Sequence, residues 1–222
     1  MEKREIVNNI QEKPFAHYCA LYRELDPEET ARRCGVLWDG AAGEFELSFL
    51  GNRYRAAFPD FAVRCLEQPV PADRLKGLGK GQILLLRHLL EGRLVPPVGQ
   101  FYTYKEMPWG DVYNQQFTGR CINRMAFSYG RRLGDFCAIL EAMGAEKIKG
   151  GDAGYALVFM PQLTLRLMLW EADEEFPPSA QILFSDNFPK AFAPEDLAVV
   201  GDVLLDAMKE VDAALKAGKK EA

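Results

Sequence analysis

The chain has 222 residues, 48% of them hydrophobic, and a formal charge of −5 at neutral pH. That size and composition suit a packed globular protein, which at this length buries roughly 70% of its unfolded surface without covalent staples. The acidic balance argues against general nucleic-acid binding, which needs a basic surface to displace phosphate counterions. Apolar runs such as residues 83–86 and 157–160 fall far short of the roughly 20 residues of a bilayer helix. The charged opening MEKREIVNNIQEK has no apolar stretch behind it. Neither a membrane span nor a secretory signal is expected, and the expected location is the cytoplasm.

In chain order, residues 1–35 read as helices. Between Pro14 and Leu25, Phe15, Tyr18, Cys19, Leu21, Tyr22 and Leu25 share one face. In DPEETARRCG, Asp26 is the N-cap, Pro27 takes the first helical position and Gly35 ends the helix. EFELSFLGNRYRAAF predicts a hairpin with Gly51-Asn52 as its turn. Glu67 to Gly81 is a Pro- and Gly-rich surface loop feeding QILLLRHLLEG, a helix apolar over most of its circumference and therefore buried. FYTYKEM predicts a strand. Helices follow from Asp111 to Met143, broken near Gly130 and Gly134, and GAEKIKGGDAG is a loop. YALVFMP and LTLRLMLWE predict antiparallel strands joined at Pro161-Gln162, with AQILFS as a third. Pro194 opens a last helix whose inner stripe is Leu197, Val200, Leu204, Met208, Val211 and Leu215, and residues 217–222 form a frayed tail. Without repeat or linker, this order predicts one α+β domain over residues 1–216, antiparallel hairpin strands with helices around them. Leu86, Phe117 and Trp170 are expected in the core.

The cysteines, Cys19, Cys34, Cys65, Cys121 and Cys137, are odd in number and lack CxxC spacing. A disulfide framework and a local zinc or iron–sulfur motif are therefore not expected, and no pattern names a cofactor. GLGKGQ (77–82) lacks the spacing and the Ser or Thr of a phosphate loop and reads as a flexible start to the helix. His17 and His88 fall on the polar flanks of their helices and are expected in solvent.

DVYNQQFTGRCINRMAFSYG carries more chemistry. At helical periodicity Tyr113, Phe117, Cys121, Met125 and Tyr129 form a core arc, while Gln116, Arg120 and Asn123 stack on another face. Arg124 falls at the edge of the apolar arc, where a guanidinium needs an acidic partner. Such a donor stripe suits a carboxylate or phosphate ligand. ADEEFPPSAQILFSDN offers acids in return. Because strand residues alternate faces, Asp173 and Glu175 are expected to point inward at Arg120 and Arg124, with Glu174 in solvent.

The stretches ILLLRHLLEG, QFYTYKEMPWGDVYNQQF, GDAGYALVFMPQLTLRLMLWEADEEFPPSAQILF and PEDLAVVGDVLL resemble a domain-of-unknown-function family of anaerobic bacteria and archaea. The likeness covers about residues 35 to 208. Some members are similar to fusions with a four-iron–four-sulfur domain of the kind seen in corrinoid iron–sulfur proteins. This chain lacks the cluster-binding cysteine run, and it has Leu183-Phe184-Ser185-Asp186 where relatives often have Leu-Phe-Asp. The resemblance implies an accessory role beside a redox or corrinoid partner in anaerobic metabolism.

The leading expectation is thus a ligand-binding or accessory protein that holds an anionic small molecule through Gln116, Arg120, Asn123, Arg124, Asp173 and Glu175. The alternatives are an enzyme using Arg120, Arg124, Asp173 and Glu175, and a protein-interaction subunit.

Overall fold

A computed structural model describes the backbone from Glu12 to Glu221 and the side chains from Lys13 to Gly218. The helical expectation for residues 1–11 lies outside the described residues. Helix α1 (Glu12–Tyr22) is followed by α2 (Pro27–Cys34). The Asp26 side chain accepts the Glu28 and Glu29 amides at 3.0 Å and Gly35 closes α2, as the capping pattern predicts.

A four-stranded antiparallel meander follows: β1 (Leu37–Asp39), β2 (Glu44–Phe49), β3 (Asn52–Ala57) and β4 (Val63–Glu67). The expected hairpin is β2–β3, but its turn is Leu50-Gly51, one residue earlier than predicted, with φ of 46° and 83°. Leucine is a poor residue for a left-handed backbone. It is held there because its side chain is buried and its amide donates to the Phe159 carbonyl at 2.9 Å. Asn52 is drawn into the sheet by its carboxamide, which binds the Val70 amide and the Ala72 carbonyl at 3.0 and 2.9 Å. Tertiary bonding outweighs turn chemistry here. β1 and β4 were not anticipated, since neither alternates cleanly between apolar and polar residues.

Helix α3 (Lys80–Glu91) is buried as predicted, and contacts α1 and α2. His88 is buried with it rather than solvated, because α3 is covered on its flanks as well as its apolar stripe. The His88 ring meets the Ala191 carbonyl at 3.1 Å through Nδ1. A carbonyl only accepts, so the neutral ring carries its proton on Nδ1. Burial pushes the His88 pKa below the usual histidine range, hydrogen bonds with the Ala191 and Cys34 backbones oppose this, and Arg33 adds to it.

The second sheet has the order β5 (Phe101–Thr103), β9 (Ser179–Ser185), β8 (Leu163–Trp170), β7 (Ala153–Met160), β6 (Glu146–Ile148), all antiparallel. β6 comes from a segment read as loop, and only the first half of FYTYKEM is strand. In β8 the odd residues Leu163, Leu165, Leu167 and Leu169 are buried. Trp170 falls on the opposite face at the strand end and is 37% exposed, so it is not a core residue.

Helices α4 (Gly110–Phe117), α5 (Arg124–Tyr129) and α6 (Leu133–Ala142) follow β5, with α4 and α5 joined by a π-helical segment, Thr118–Asn123. The break falls at Gly130, while Gly134 lies inside α6. Phe117, Cys121, Met125 and Tyr129 are buried as predicted, whereas Tyr113 is 41% exposed. The wider π turn counters the angular drift that a spacing of four residues accumulates along an α-helix, so these four stay on one line.

Short α7 (Phe188–Ala191) leads into α8 (Pro194–Glu221), whose 28 residues touch α3, α4, the π segment, α6 and α7. The predicted stripe from Leu197 to Val211 is buried, with Leu215 packed at its end. Helix continues to Glu221 in place of the expected frayed tail. Buried residues from both sheets and from α8 form one contiguous cluster.

Close packing onto α8 falls at Gly201. A Cβ there would lie 2.7 Å from the Cys121 Sγ and 2.8 Å from the Phe117 ring, which itself stacks on Tyr104 at 4.3 Å between centroids. Gly→Ala inside a helix ordinarily gains about 1 kcal/mol. Here Gly201→Ala is expected to lose about 1–3 kcal/mol by overpacking, and Phe117→Ala about 3–5 kcal/mol, both read from urea melts. A stabilised Gly201→Ala variant would show that the segment is not packed this tightly. For His88, the unfolded chain takes up a proton first as pH falls below about 6.5, so the stability contributed by the neutral ring is complete above that pH and declines on acidification. The slope is expected to reach at most about 1.4 kcal/mol per pH unit. His88→Gln should remove that slope between pH 6.5 and 5, whatever it does to absolute stability.

Candidate functional site

Helix α8 turns a row of carboxylates to its polar side, and each meets a cation from a different part of the chain. Asp196 binds Arg87 at 2.6 Å, Asp206 binds Arg124 at 2.7 Å and Glu210 binds Arg74 at 2.7 Å. Asp212 binds Arg132 at 2.9 Å and Lys216 at 3.0 Å. In the middle, Asp202 accepts from Lys80 at 2.9 Å and from Arg120. The Asp202 side chain is 4% exposed. A carboxylate so removed from water is tolerable only with charged partners. Lys80 begins α3 and Arg120 lies in the π segment, so two elements distant in sequence meet on this one group.

Cys121 also faces Asp202, with Sγ 4.0 Å from Oδ1. Burial pushes its thiol up to about 11 despite the neighbouring cations Arg120, Arg124 and Lys80, so at neutral pH it is a packed thiol and no nucleophile. Partial burial moves the Lys80 ammonium below the usual lysine range; Asp206 opposes this, and Arg120 and Arg124 reinforce it.

Two clefts of about 230 Å³ each adjoin the Arg124–Asp206 pair, one at Asp206 and the other at Arg124. The first is lined by Arg74, Lys76, Gly79, Lys80, Gly81 and Asp206. The second is lined by Arg124, Ser128, Arg132, Lys209 and Asp212. Each is lined by three cations and one carboxylate; Arg74, Lys80, Arg124 and Arg132 already bind carboxylates of α8, so Lys76 and Lys209 supply the excess. The first also receives the start of α3, where the N-cap is Gly79, no side chain caps the helix and its first turn holds no acid. The amides there and the helix dipole offer positive potential to the cleft. Residues 77–82 do start a helix, as read from the sequence, and space beside Gly77 and Gly79 is open.

Of the six residues predicted as a site, Arg120 and Arg124 belong to this groove. Gln116 on α4 and Asn123 in the π segment are exposed. Asp173 and Glu175 do not face the arginines. They line a different cleft, with Phe127 and Arg131, and both are exposed, as is Glu174. The expected alternation fails because β8 ends at Trp170 and residues 173–176 form a turn, in which Asp173 accepts the amides of Glu175 and Phe176 at 2.9 and 2.6 Å. Arg124 does find a carboxylate, but on α8. Asp202, Asp206, Lys80 and Arg74 were missed. The available signal was the spacing of four between Asp202, Asp206 and Glu210 on the polar side of α8.

Among the described residues no three His, Cys, Asp or Glu side chains gather as a metal site, and no helix is long and apolar enough to cross a membrane. Fold and groove together define an α+β protein of two antiparallel sheets with a cationic groove along its last helix. The chain belongs to a family described as a domain of unknown function, DUF3786, whose model matches residues 26–207. That span includes both sheets, the π segment and the groove as far as Asp206. No curated protein and no solved structure matches the chain.

The Asp202 site predicts non-additive energetics. Lys80 and Arg120 are each about half exposed, and either alone can still serve the buried carboxylate. Lys80→Met and Arg120→Met are each expected to cost about 1 kcal/mol or less. The double variant strands Asp202 and should cost about 3–5 kcal/mol. Simple additivity in a double-mutant cycle would mean that the carboxylate reaches water on its own.

Proposed function

We propose that this chain binds an anionic small molecule, carrying phosphate or carboxylate groups, in the groove along α8. The observation that carries the reading is the convergence of Arg74, Lys76 and Lys80 on the uncapped start of α3, in a cleft with Asp206 as its carboxylate, on a chain that is acidic as a whole. Guanidinium forks and a helix start are both suited to phosphate and carboxylate oxygens. Arg120 and Arg124 contribute by holding Asp202 and Asp206, which keeps those carboxylates from neutralising the cleft. An accessory role beside a redox or corrinoid enzyme rests on the resemblance alone. The five free cysteines suit a reducing compartment such as the cytoplasm. A catalytic pocket built from Arg120, Arg124, Asp173 and Glu175 is not supported, since Arg124 and these acids line different clefts and Arg120 is engaged by Asp202.

Inorganic pyrophosphate, titrated calorimetrically, tests the proposal. Saturable binding should weaken steeply between 50 and 200 mM salt, about 10-fold or more in Lys76→Ala/Lys80→Met, and little in Lys147→Ala, a lysine on β6. Binding that is absent at millimolar pyrophosphate, or that ignores the Lys76 and Lys80 changes, would refute the assignment.

A further inference from the structure

The cleft that received Asp173 and Glu175 has its own chemistry. It measures about 380 Å³ and is formed between α5 and the turn that follows β8. Phe127 and Phe176 line it at 71% and 65% exposure, an unusual outlay of aromatic surface for a soluble face. The turn is firmly built. The Ala172 amide donates to the Gly130 carbonyl at 3.0 Å, the Asp173 amide donates to the Phe176 carbonyl at 3.1 Å, and Pro178 packs directly on Gly130. Phe176 is therefore displayed by a rigid loop, and its exposure is not the result of a loose chain.

The charge of the cleft says what would cover it. Asp173 is engaged by the turn's own amides. Glu174 and Glu175 form no ion pair among the described residues, and Arg131 offsets one of the three negative charges. We infer that this cleft docks an arginine-bearing segment of a partner protein, with the guanidinium stacked on Phe127 or Phe176 and hydrogen-bonded to Glu174 or Glu175. Arginine fits better than lysine, because its planar group stacks on an aromatic face and meets carboxylates with two parallel bonds. A second copy fits poorly: a two-fold contact through this patch would bring the acidic turns of both copies together.

The inference is independent of the α8 groove and is tested with hexa-arginine and hexa-lysine peptides on the full chain. Amide shifts should saturate in residues 127–131 and 172–178, and hexa-arginine should bind several-fold more tightly. Phe127→Ala/Phe176→Ala should abolish that preference while leaving residual binding of both peptides. Glu174→Gln/Glu175→Gln should weaken both at least fivefold, and Arg131→Ala should strengthen both. All of these side chains are exposed, and a thermal melt verifies that each variant is folded. Shifts spread over the acidic surface generally, or equal affinity for the two peptides in the parent chain, would overturn the assignment. So would concentration-dependent dimerisation that Phe176→Ala removes, which would make the occupant a second copy.

Discussion

The burial of the Asp202 carboxylate is the constraint around which the helical side of this protein is arranged. Gly201 lets the π-helical segment approach α8 so closely that the next residue is sealed from water. A sealed carboxylate costs several kcal/mol unless cations reach it. Lys80 and Arg120 do so, and in reaching it they bring the start of α3 and the π segment to the same place on α8. The π turn contributes to both requirements. It keeps Phe117, Cys121 and Met125 on the buried line while leaving Arg120 beside the acid.

The groove follows from that arrangement. Every carboxylate on the polar side of α8 between Asp202 and Asp212 is matched by at least one cation, so the remaining cations are in excess. Lys76 and Lys209 stand in the two clefts as part of that excess. The exposed pairs add little to stability individually. Their effect is on the field that an approaching anion meets, which low-dielectric cleft walls concentrate.

Charge is thus segregated on a chain of net −5. The α8 groove carries positive excess, and the turn after β8 carries adjacent acids beside two exposed phenylalanines. The two are held apart by α5, which presents Arg124 to α8 and Phe127 to the acidic turn. A single short helix therefore separates surfaces of opposite sign, and its orientation is set by the buried Met125 and Tyr129 between them.

Local physics made much of the fold legible. The Asp26 cap, the alternation of β8, the Pro161-Gln162 hairpin and the inner stripe of α8 are all written in residues that interact within a few positions of one another, so sequence alone determined them. The site was legible only in kind. The position of Arg124 showed that it needs an acid, but helix periodicity does not say from which element the acid comes. Of the nearest conspicuous acids, 173–175, Asp173 serves its own turn and the two glutamates stay exposed, and Asp206 answers instead. Leu50 in a left-handed turn and His88 inside the core depart from expectation because a partner far along the chain decides each, Phe159 for Leu50 and Ala191 for His88. Trp170 lies outside the core because the alternation of β8 turns it to the opposite face at the strand end. Sequence by itself determined the α+β class and the elements stabilised by neighbours. Only tertiary structure decided where the charges meet, because burial and Coulombic pairing depend on distances through space that the order of residues does not contain.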